Sequence, residues 1–246
     1  FSIQPSEFVK PAFVVLAAWA FSEVQKQVDM PARSIAVGLY VVFAALLLMQ
    51  PDVGQTFLIS TLWTALFVLA GQPLAWVGVF AVIGVLGLVG AYMTLDYVRF
   101  RVDRFLAPTG DEYSQTARAL QSFVEGGFFG RGPGEGTIKT ALPDAHKDFI
   151  FAVIAEEYGA VTCLALVALI TFIVLRAYFR TFTETDPFTR LAVAGLSLLF
   201  GLQAAINMGV NVGLLPAKGM TLPFISAGGS SLVSTFLVMG IILALT

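Results

Sequence analysis

The chain has 246 residues, of which 57% are hydrophobic and 12% are charged, with a net charge of -2 and a mean hydropathy of +0.85. Soluble domains carry about 25% charged residues, so this composition excludes a soluble globular protein and indicates a membrane protein. Cys163 and His146 are the only residues of their types, which excludes a disulfide framework and metal sites built from cysteines or several histidines.

Seven apolar runs predict an all-α polytopic membrane protein, because a spanning helix needs about 20 mostly apolar residues. In chain order the runs are Pro5–Val24, Ser34–Met49, Val53–Ala70, Leu74–Met93, Phe149–Tyr178, Leu191–Val212 and Leu222–Leu245. The fifth run would be about 45 Å long as a helix, so we expect it to tilt, break or project beyond the membrane. The chain starts at Phe1 without a signal-peptide pattern, and we expect it to be a piece of a longer protein.

The longest polar segment, residues 94–147, separates the fourth and fifth runs. It holds seven of the 14 Lys and Arg residues, seven carboxylates and the glycine cluster GGFFGRGPGEG, which starts at Gly126. Loops of this length are usually functional or disordered, and the aromatic residues within this one favour order. Its glycines would let the backbone approach an anion, although glycines in loops more often serve turns.

Polar residues inside the apolar runs are candidate functional positions, because a charge at mid-bilayer costs about 2.5–3.5 kcal/mol on insertion scales. Glu7 and Lys10 can pair at the start of the first helix. Glu156 and Glu157 either line a cavity or pair with a basic residue, and we favour pairing. Three amides recur every four residues and form one helical stripe: Gln203, Asn207 and Asn211. The simplest interpretation of this stripe is hydrogen bonding between helices.

Asp148 lies at the start of the fifth run, within the stretch ALPDAHKDFIFAVIAEEYG that begins at Ala141. Aspartate is a preferred residue at a helix N-terminus, where it accepts hydrogen bonds from free N–H groups and favours the positive end of the dipole. Position alone therefore predicts a helix cap at Asp148.

Five segments resemble, in order, motifs of the SEDS family (shape, elongation, division and sporulation). They are QPSEF, PDVGQ, GRGPGEGTIK, LPDAHKDFIFAVIAEEYG and LLPAKGMTLPFISAGGSSL, starting at Gln4, Pro51, Gly130, Leu142 and Leu214. The AEE triplet and Lys218 resemble the division type of the family rather than the elongation type. Family members have ten spans, so the resemblance implies that residues 1–246 are a partial SEDS membrane domain holding spans four to ten. It also implies that 94–147 is the large extracytoplasmic loop.

The charge distribution alone leaves this orientation open. Five cations flank the short connections after the first and fifth runs, which favours a cytoplasmic position for that side: Lys26, Arg33, Arg176, Arg180 and Arg190. The seven cations of segment 94–147 outnumber them, so a simple count would place this segment inside. We follow the resemblance, which places it outside.

The resemblance implies a glycosyltransferase that polymerises lipid II, a disaccharide-pentapeptide on undecaprenyl pyrophosphate, during septal wall synthesis. Asp148 matches the essential aspartate of the family and would act as an inverting general base. Lys139 is the first candidate for binding the pyrophosphate, and Arg131 and Lys218 are the next candidates. The other substrate-binding candidates are Glu156, Gly132, Gly134 and Ser230.

The partners implied are lipid II, the growing undecaprenyl-linked glycan, a class B penicillin-binding protein and other divisome membrane proteins, with no nucleic acid. The implied location is the bacterial inner (plasma) membrane at the division septum. The sequence contains no closed metal site, although a divalent cation, Mg²⁺ or Mn²⁺, could bridge the diphosphate and Asp148. A lipid II flippase and a non-catalytic divisome scaffold are the alternative functions.

Two positions depart from the family pattern, which usually has Thr in place of Lys147 and an aromatic residue in place of Ala227. Lys147 adjoins Asp148, so its positive charge is expected to favour the ionised aspartate.

Overall fold

The computed structural model describes residues 4–26, 31–50, 52–73, 75–106, 115–216 and 219–246. Regular structure in these ranges is helical, without strands, which confirms the all-α prediction. The helices are α1 (Pro5–Gln25), α2 (Ala32–Met49), α3 (Val53–Leu69), α4 (Ala75–Thr94), α5 (Asp96–Leu106), α6 (Gln115–Gly126), α7 (Ile150–Arg180), α8 (Pro187–Asn211) and α9 (Gly229–Leu245), with a 3₁₀ turn at Ile138–Ala141.

The lengths and compositions of the helices are those of a membrane protein. Four of them are long and apolar enough to cross a bilayer, namely α2, α4, α7 and α8, while α3 and α9 are shorter apolar helices. Helix α4 has no buried residue, as expected of a helix that faces lipid.

The first compact unit comprises Phe1–Gly78, Thr171–Leu202 and Gly229–Thr246. Within it α1 contacts α2, α3 and α9. The Trp63 ring lies 5.7 Å from that of Phe21 and 5.0 Å from that of Tyr40, and its indole N–H donates to the Ala36 carbonyl at 3.0 Å. This bond satisfies the one polar group that the indole brings into the apolar core.

A buried ion pair near the start of α1 confirms the pairing predicted from the spacing of Glu7 and Lys10. The Lys10 Nζ atom lies 2.8 Å from a Glu7 carboxylate oxygen, and both side chains are less than 10% exposed. The Glu7 carbonyl also accepts a hydrogen bond from the Ser234 hydroxyl at 2.6 Å, which joins α1 to α9.

The second unit comprises Val79–Ile170 and Gln203–Gly228. The polar segment 94–147 belongs to it and contains α5, α6 and the 3₁₀ turn, while its residues 107–114 lie outside the described ranges. Helix α6 contacts the 3₁₀ turn, and the Phe123 ring packs 5.6 Å from that of Phe151 on α7. Phe123 is thus one aromatic residue of this segment that packs against a membrane helix.

Helix α7 is broken at Gly159, where φ is 81° and ψ is 175°, a conformation that is essentially restricted to glycine. The backbone of residues 127–132 fills the break. Two N–H groups after the break donate to the carbonyls of residues 127–128 at 2.9 and 3.2 Å, and two N–H groups of residues 131–132 donate to carbonyls before it at 2.9 and 3.0 Å. Of the three outcomes expected for this long run, breaking is the one observed.

The last helix starts later than predicted, at Gly229 instead of Leu222. A turn occupies residues 222–226, in which Phe224 has a φ of 64° and the Ser226 hydroxyl accepts from the Leu222 N–H at 2.7 Å. Helix α8 begins earlier than predicted, at Pro187, because Asp186 caps it by accepting from the Thr189 N–H at 2.9 Å.

Candidate functional site

Asp148 lies two residues before the first residue of α7 and is half-buried. The cap expected from its position is not formed, since no described residue donates a hydrogen bond to its carboxylate. The Ala152 N–H, in the first turn of α7, donates to the Asn211 side chain at 3.0 Å instead. The Asp148 carboxylate is thus held near a helix N-terminus without being used to build it.

Two amides of α8 fix the backbone of Asp148. The Nδ2 atoms of Asn207 and Asn211 both donate to the Asp148 carbonyl, each at 2.9 Å. Asn207 also donates to the Met220 carbonyl at 2.6 Å. The predicted polar stripe therefore makes hydrogen bonds between segments, as its simplest interpretation required. The spacing of four residues is the signal available in the sequence, and it does not indicate that Asp148 is the acceptor.

The segment that follows α8 lies against the residues just before Asp148. The Ser226 hydroxyl donates to the Lys147 carbonyl at 2.5 Å, and the Ala227 N–H donates to the His146 carbonyl at 2.8 Å. A Cβ placed on Gly219 would lie 3.4 Å from a carboxylate oxygen of Asp148. This segment therefore forms one wall beside the carboxylate. Lys218 lies outside the described residues.

The environment of Asp148 raises the pKa of its carboxyl from 3.8 to about 6. Loss of water contact is the main cause, and the neighbouring Asp144 adds to it, whereas Lys147 acts in the opposite direction. The Lys147 ammonium lies 3.2 Å from the Asp144 carboxylate. The expected influence of Lys147 is right in sign but is outweighed by desolvation and by Asp144.

Glu156 is fully buried, and its carboxylate organises the 3₁₀ turn. It accepts from the backbone N–H groups of Thr137, Ile138 and Lys139 at 2.6, 2.9 and 3.2 Å. Three N–H donors satisfy a buried carboxylate much as a helix N-terminus binds an anion. Of the two interpretations open for Glu156, internal pairing is the one that these contacts favour, although its partners are backbone groups rather than a basic residue.

The cations Lys139 and Arg131 each contact a carboxylate in the same region. The Lys139 ammonium contacts Glu157 and donates to the Gly134 carbonyl at 2.9 Å. The Arg131 guanidinium contacts Glu125 and donates to the Thr137 hydroxyl at 3.1 Å. An incoming anion would have to share these cations with carboxylates that already hold them.

The second unit thus places five predicted site residues around the break in α7: Lys139, Arg131, Gly132, Gly134 and Glu156. Asp148 lies in the same unit, just before the first turn of that helix. Ser230 belongs to the first unit, where its hydroxyl accepts from the Gln4 N–H at 3.0 Å.

No group of three or more His, Cys, Asp or Glu side chains that could hold a metal ion occurs within the described ranges. Asp144 is the carboxylate that acts on the pKa of Asp148, and its own carboxylate is engaged by Lys147. The residues around Asp148 do not form a closed site for a divalent cation.

The whole chain, residues 1–246, matches the FtsW/RodA/SpoVE family, described as cell cycle proteins. It is 47% identical over 245 residues to a probable peptidoglycan glycosyltransferase FtsW from Caulobacter vibrioides. The match covers 100% of this chain and 63% of that protein, so the chain spans less than two thirds of the length of this relative.

Two solved structures have a similar fold. A chain from a peptidoglycan synthase complex, in which polymerization and crosslinking are coordinated, has a TM-score of 0.79 and 28% identity, covering 99% of this chain and 69% of that one. The rod shape determining protein RodA of Thermus thermophilus has a TM-score of 0.66 and 26% identity, covering 99% of this chain and 65% of that one.

Proposed function

The chain belongs to the FtsW/RodA/SpoVE family of cell cycle proteins, and we propose that it is part of a division-type peptidoglycan glycosyltransferase. The proposed reaction joins lipid II units into β-1,4 glycan strands during septal wall synthesis. The name of the Caulobacter relative, at 47% identity, supports this activity and its division type. Because the chain spans 63% of that relative, the activity is proposed for the whole protein.

Asp148 is the proposed general base. Its carboxylate takes the proton from the 4-hydroxyl of the acceptor GlcNAc, and the resulting oxygen attacks C1 of the donor MurNAc. The C1–oxygen bond to the diphosphate breaks on the opposite face, and its electron pair leaves with undecaprenyl diphosphate, so the configuration at C1 inverts. A diphosphate leaves without being protonated, so one carboxylate suffices where glycosidases need two.

The observation that carries this proposal is the state of the Asp148 carboxylate. It is half-buried, no described residue donates a hydrogen bond to it, and its pKa is raised to about 6. Such a carboxylate is ionised at neutral pH and is more basic than an ordinary aspartate. General-base catalysis contributes about 10²–10⁴-fold and is most effective when the pKa lies near the working pH.

Lys139 is the first candidate for binding the leaving diphosphate, and Arg131 and Lys218 are the next candidates. Gly132 and Gly134 have positive φ angles of 116° and 86°, which suit a backbone that approaches an anion closely. The contact of the Lys139 ammonium with the Gly134 carbonyl supports placing them in one subsite. Glu156 would act there by positioning the backbone of the 3₁₀ turn, and Ser230 is a further substrate-binding candidate.

Asp148 would be the carboxylate ligand of a divalent cation, Mg²⁺ or Mn²⁺, at this site. The diphosphate would have to supply further oxygen ligands. The described residues do not build a closed site for such an ion, and we derive no step through it.

We also propose the topology of the family for this chain. Seven spans would correspond to α1, α2, α3, α4, α7, α8 and α9, with residues 94–147 on the extracytoplasmic face of the inner membrane at the septum. The similarity to a chain of a peptidoglycan synthase complex supports a class B penicillin-binding protein as the partner. The other proposed partners are lipid II, the growing glycan and other divisome membrane proteins.

The test is lipid II polymerisation by the full-length protein carrying Asp148→Asn. Asparagine has nearly the same shape but cannot take a proton at neutral pH, so we expect loss of elongation by at least about 10²-fold. Asp144→Asn is the matched control, because it removes a neighbouring carboxylate that takes no part in the reaction. A normal rate for Asp148→Asn would refute the assignment.

A lipid II flippase is the first alternative, and its polar pathway would have to be lined by Glu156, Glu157 and Asn207. Each of these side chains is engaged within the second unit, which argues against a pathway built from them. Translocation of lipid II in liposomes without polymerisation would favour the flippase. Loss of division with full polymerase activity would favour a scaffold.

A further inference from the structure

The first unit contains a cavity of about 250 Å³ at the C-terminal end of α7 and the N-terminal part of α8. Its lining combines the apolar side chains of Leu69, Leu191 and Ala194 with the polar groups of Tyr178 and Arg190. None of the residues assigned above to lipid II lines it. The cavity is therefore a separate feature that needs its own explanation.

Arg190 brings a largely unused guanidinium to this cavity. It is half-buried, and one of its five N–H donors is used, by the Gln25 side-chain oxygen at 3.0 Å. No carboxylate within the described ranges lies within 4 Å of it. Charged groups removed from water are normally paired, so this guanidinium has the capacity to bind an external anion. The Tyr178 hydroxyl, a second donor, also has no hydrogen-bond partner among the described residues.

Two of the acidic side chains at this end of the helices already have partners. Both are engaged by Lys26, which lies 3.4 Å from Glu23 and 3.9 Å from Asp186. Asp186 also accepts from the Thr189 N–H at 2.9 Å, and contacts of this kind hold the pKa of its carboxyl below the usual value. The Asp186 carboxylate is therefore engaged by its own helix cap and by Lys26.

Aromatic and basic residues mark this end of the helices as an interface. Phe179 and Phe182 are 60% and 70% exposed, and the Tyr178 and Phe182 rings meet edge to face at 5.5 Å. Arg176 and Arg180 lie in the last turns of α7. In the topology proposed above this end lies on the cytoplasmic side, and the leaflet on that side carries anionic lipids that bind basic pockets between helices.

We propose that this cavity binds the phosphodiester headgroup of an anionic phospholipid. The Arg190 guanidinium and the Tyr178 hydroxyl donate to the phosphate oxygens, while the apolar lining and the exposed phenylalanines contact the start of the acyl chains. The cavity is smaller than the roughly 300–1,000 Å³ of pockets for drug-sized ligands, which suits a headgroup rather than a whole ligand. A soluble phosphate shares the ionic part of this chemistry but has nothing to place on the apolar part.

The test measures lipid retention by the purified full-length protein in mixed micelles. Phosphatidylglycerol and the zwitterionic phosphatidylcholine are compared by native mass spectrometry, together with the thermal stabilisation that each provides. We expect Arg190→Gln to reduce phosphatidylglycerol retention by about tenfold or more, which corresponds to the loss of one charge-assisted contact. Arg190→Lys keeps the charge but not the planar arrangement of donors. Its phosphatidylglycerol retention should lie between those of the wild-type protein and Arg190→Gln.

Arg180→Gln is the matched control, because it removes a cation of the same end that does not line the cavity, and it should leave retention within about twofold. Tyr178→Phe should weaken retention by a smaller factor while keeping the ring contact.

Melting temperatures in phosphatidylcholine alone separate loss of lipid from loss of folding. Equal retention by the Arg190→Gln and wild-type proteins would overturn the proposal, as would stabilisation by soluble glycerol phosphate equal to that by the lipid. None of these measurements depends on polymerase activity.

Discussion

Asn211 on α8 bridges the two sides of the turn that leads into α7. Its Nδ2 atom donates to the Asp148 carbonyl at 2.9 Å while its Oδ1 atom accepts from the Ala152 N–H at 3.0 Å. Asn211 is fully buried. Each of the two backbone groups has one further partner, since the Asp148 carbonyl also accepts from Asn207 at 2.9 Å and the Ala152 N–H also donates to the Phe149 carbonyl at 3.1 Å. The position of the proposed base therefore depends on a side chain that takes no part in the reaction.

Asn211→Leu keeps the volume of the side chain and removes both hydrogen bonds. Each backbone group keeps its other partner, so the loss is that of two hydrogen bonds worth about 0.5–1.5 kcal/mol each. We therefore expect a moderate fall in the melting temperature of the full-length protein. We also expect a lower kcat in lipid II polymerisation, because Asp148 is no longer held in place. A variant with unchanged melting temperature and unchanged kcat would contradict this positioning role.

The pKa of Asp148 predicts a pH profile for polymerisation. The base must be ionised, so kcat/KM should rise with pH through about 6 and level off above it. Folding raises this pKa, so the folded protein holds the proton more tightly than the unfolded chain between about pH 4 and pH 6. The stability contributed by this group should therefore fall as pH rises through that window, and Asp148→Asn should remove the slope.

Lys147 and Asp144 give a pair of variants with opposite expected shifts. Lys147→Thr removes the charge that lowers the pKa of Asp148 and also releases the Asp144 carboxylate, so the rising limb of the profile should move to higher pH. Asp144→Asn removes a charge that raises this pKa, so the limb should move to lower pH. Asparagine also tolerates the left-handed backbone at this position, where φ is 54°. Both variants should be active on the plateau; shifts in the same direction would exclude Asp148 as the titrating group.

Local signals in the sequence were sufficient to predict the bounds of the first four helices. Their bounds lie within two residues of the predicted runs, because hydropathy and breakers such as Pro51 determine them locally. The break in α7 was left open, since a glycine inside an apolar helix is often tolerated. Gly159 becomes a break because the backbone of residues 127–132 inserts there, about 30 residues earlier in the chain. Sequence spacing carries no information about such a contact.

Lys139 and Asp148 are both candidates whose contacts come from distant parts of the chain. The resemblance identified both residues, but the sequence did not reveal that the Lys139 ammonium contacts Glu157 or that Asn207 and Asn211 hold Asp148. These partners lie between 18 and 63 residues away. Partners at such separations are set by the tertiary fold, so the sequence identified the chemical groups but not the contacts that tune them.

Glu156→Gln tests the internal role of the buried carboxylate. A glutamine keeps one acceptor oxygen but turns an amide group toward the remaining N–H donor, so at least one charge-assisted bond is lost. We expect a loss of about 1–3 kcal/mol and a corresponding fall in melting temperature. Glu157→Gln is the comparison, because its oxygen still accepts from the Lys139 ammonium, and its effect should be smaller. Equal effects, or a larger one at Glu157, would show that the 3₁₀ turn does not depend on Glu156.

Gly159→Ala should be among the most damaging single substitutions in the second unit. Alanine would carry the strain of a φ of 81°, of the order of 1–3 kcal/mol, and its Cβ would also collide with the Phe128 carbonyl and the Gly130 N–H. Gly134→Ala separates the two causes, since its φ of 86° is similar but no atom lies within 4 Å of the added Cβ. We expect Gly134→Ala to fold with a modestly lower melting temperature and Gly159→Ala to give little folded protein. If both fold equally well, the backbone of residues 127–132 does not hold the break closed, and the ordered arrangement around Lys139 and Arg131 loses its physical basis.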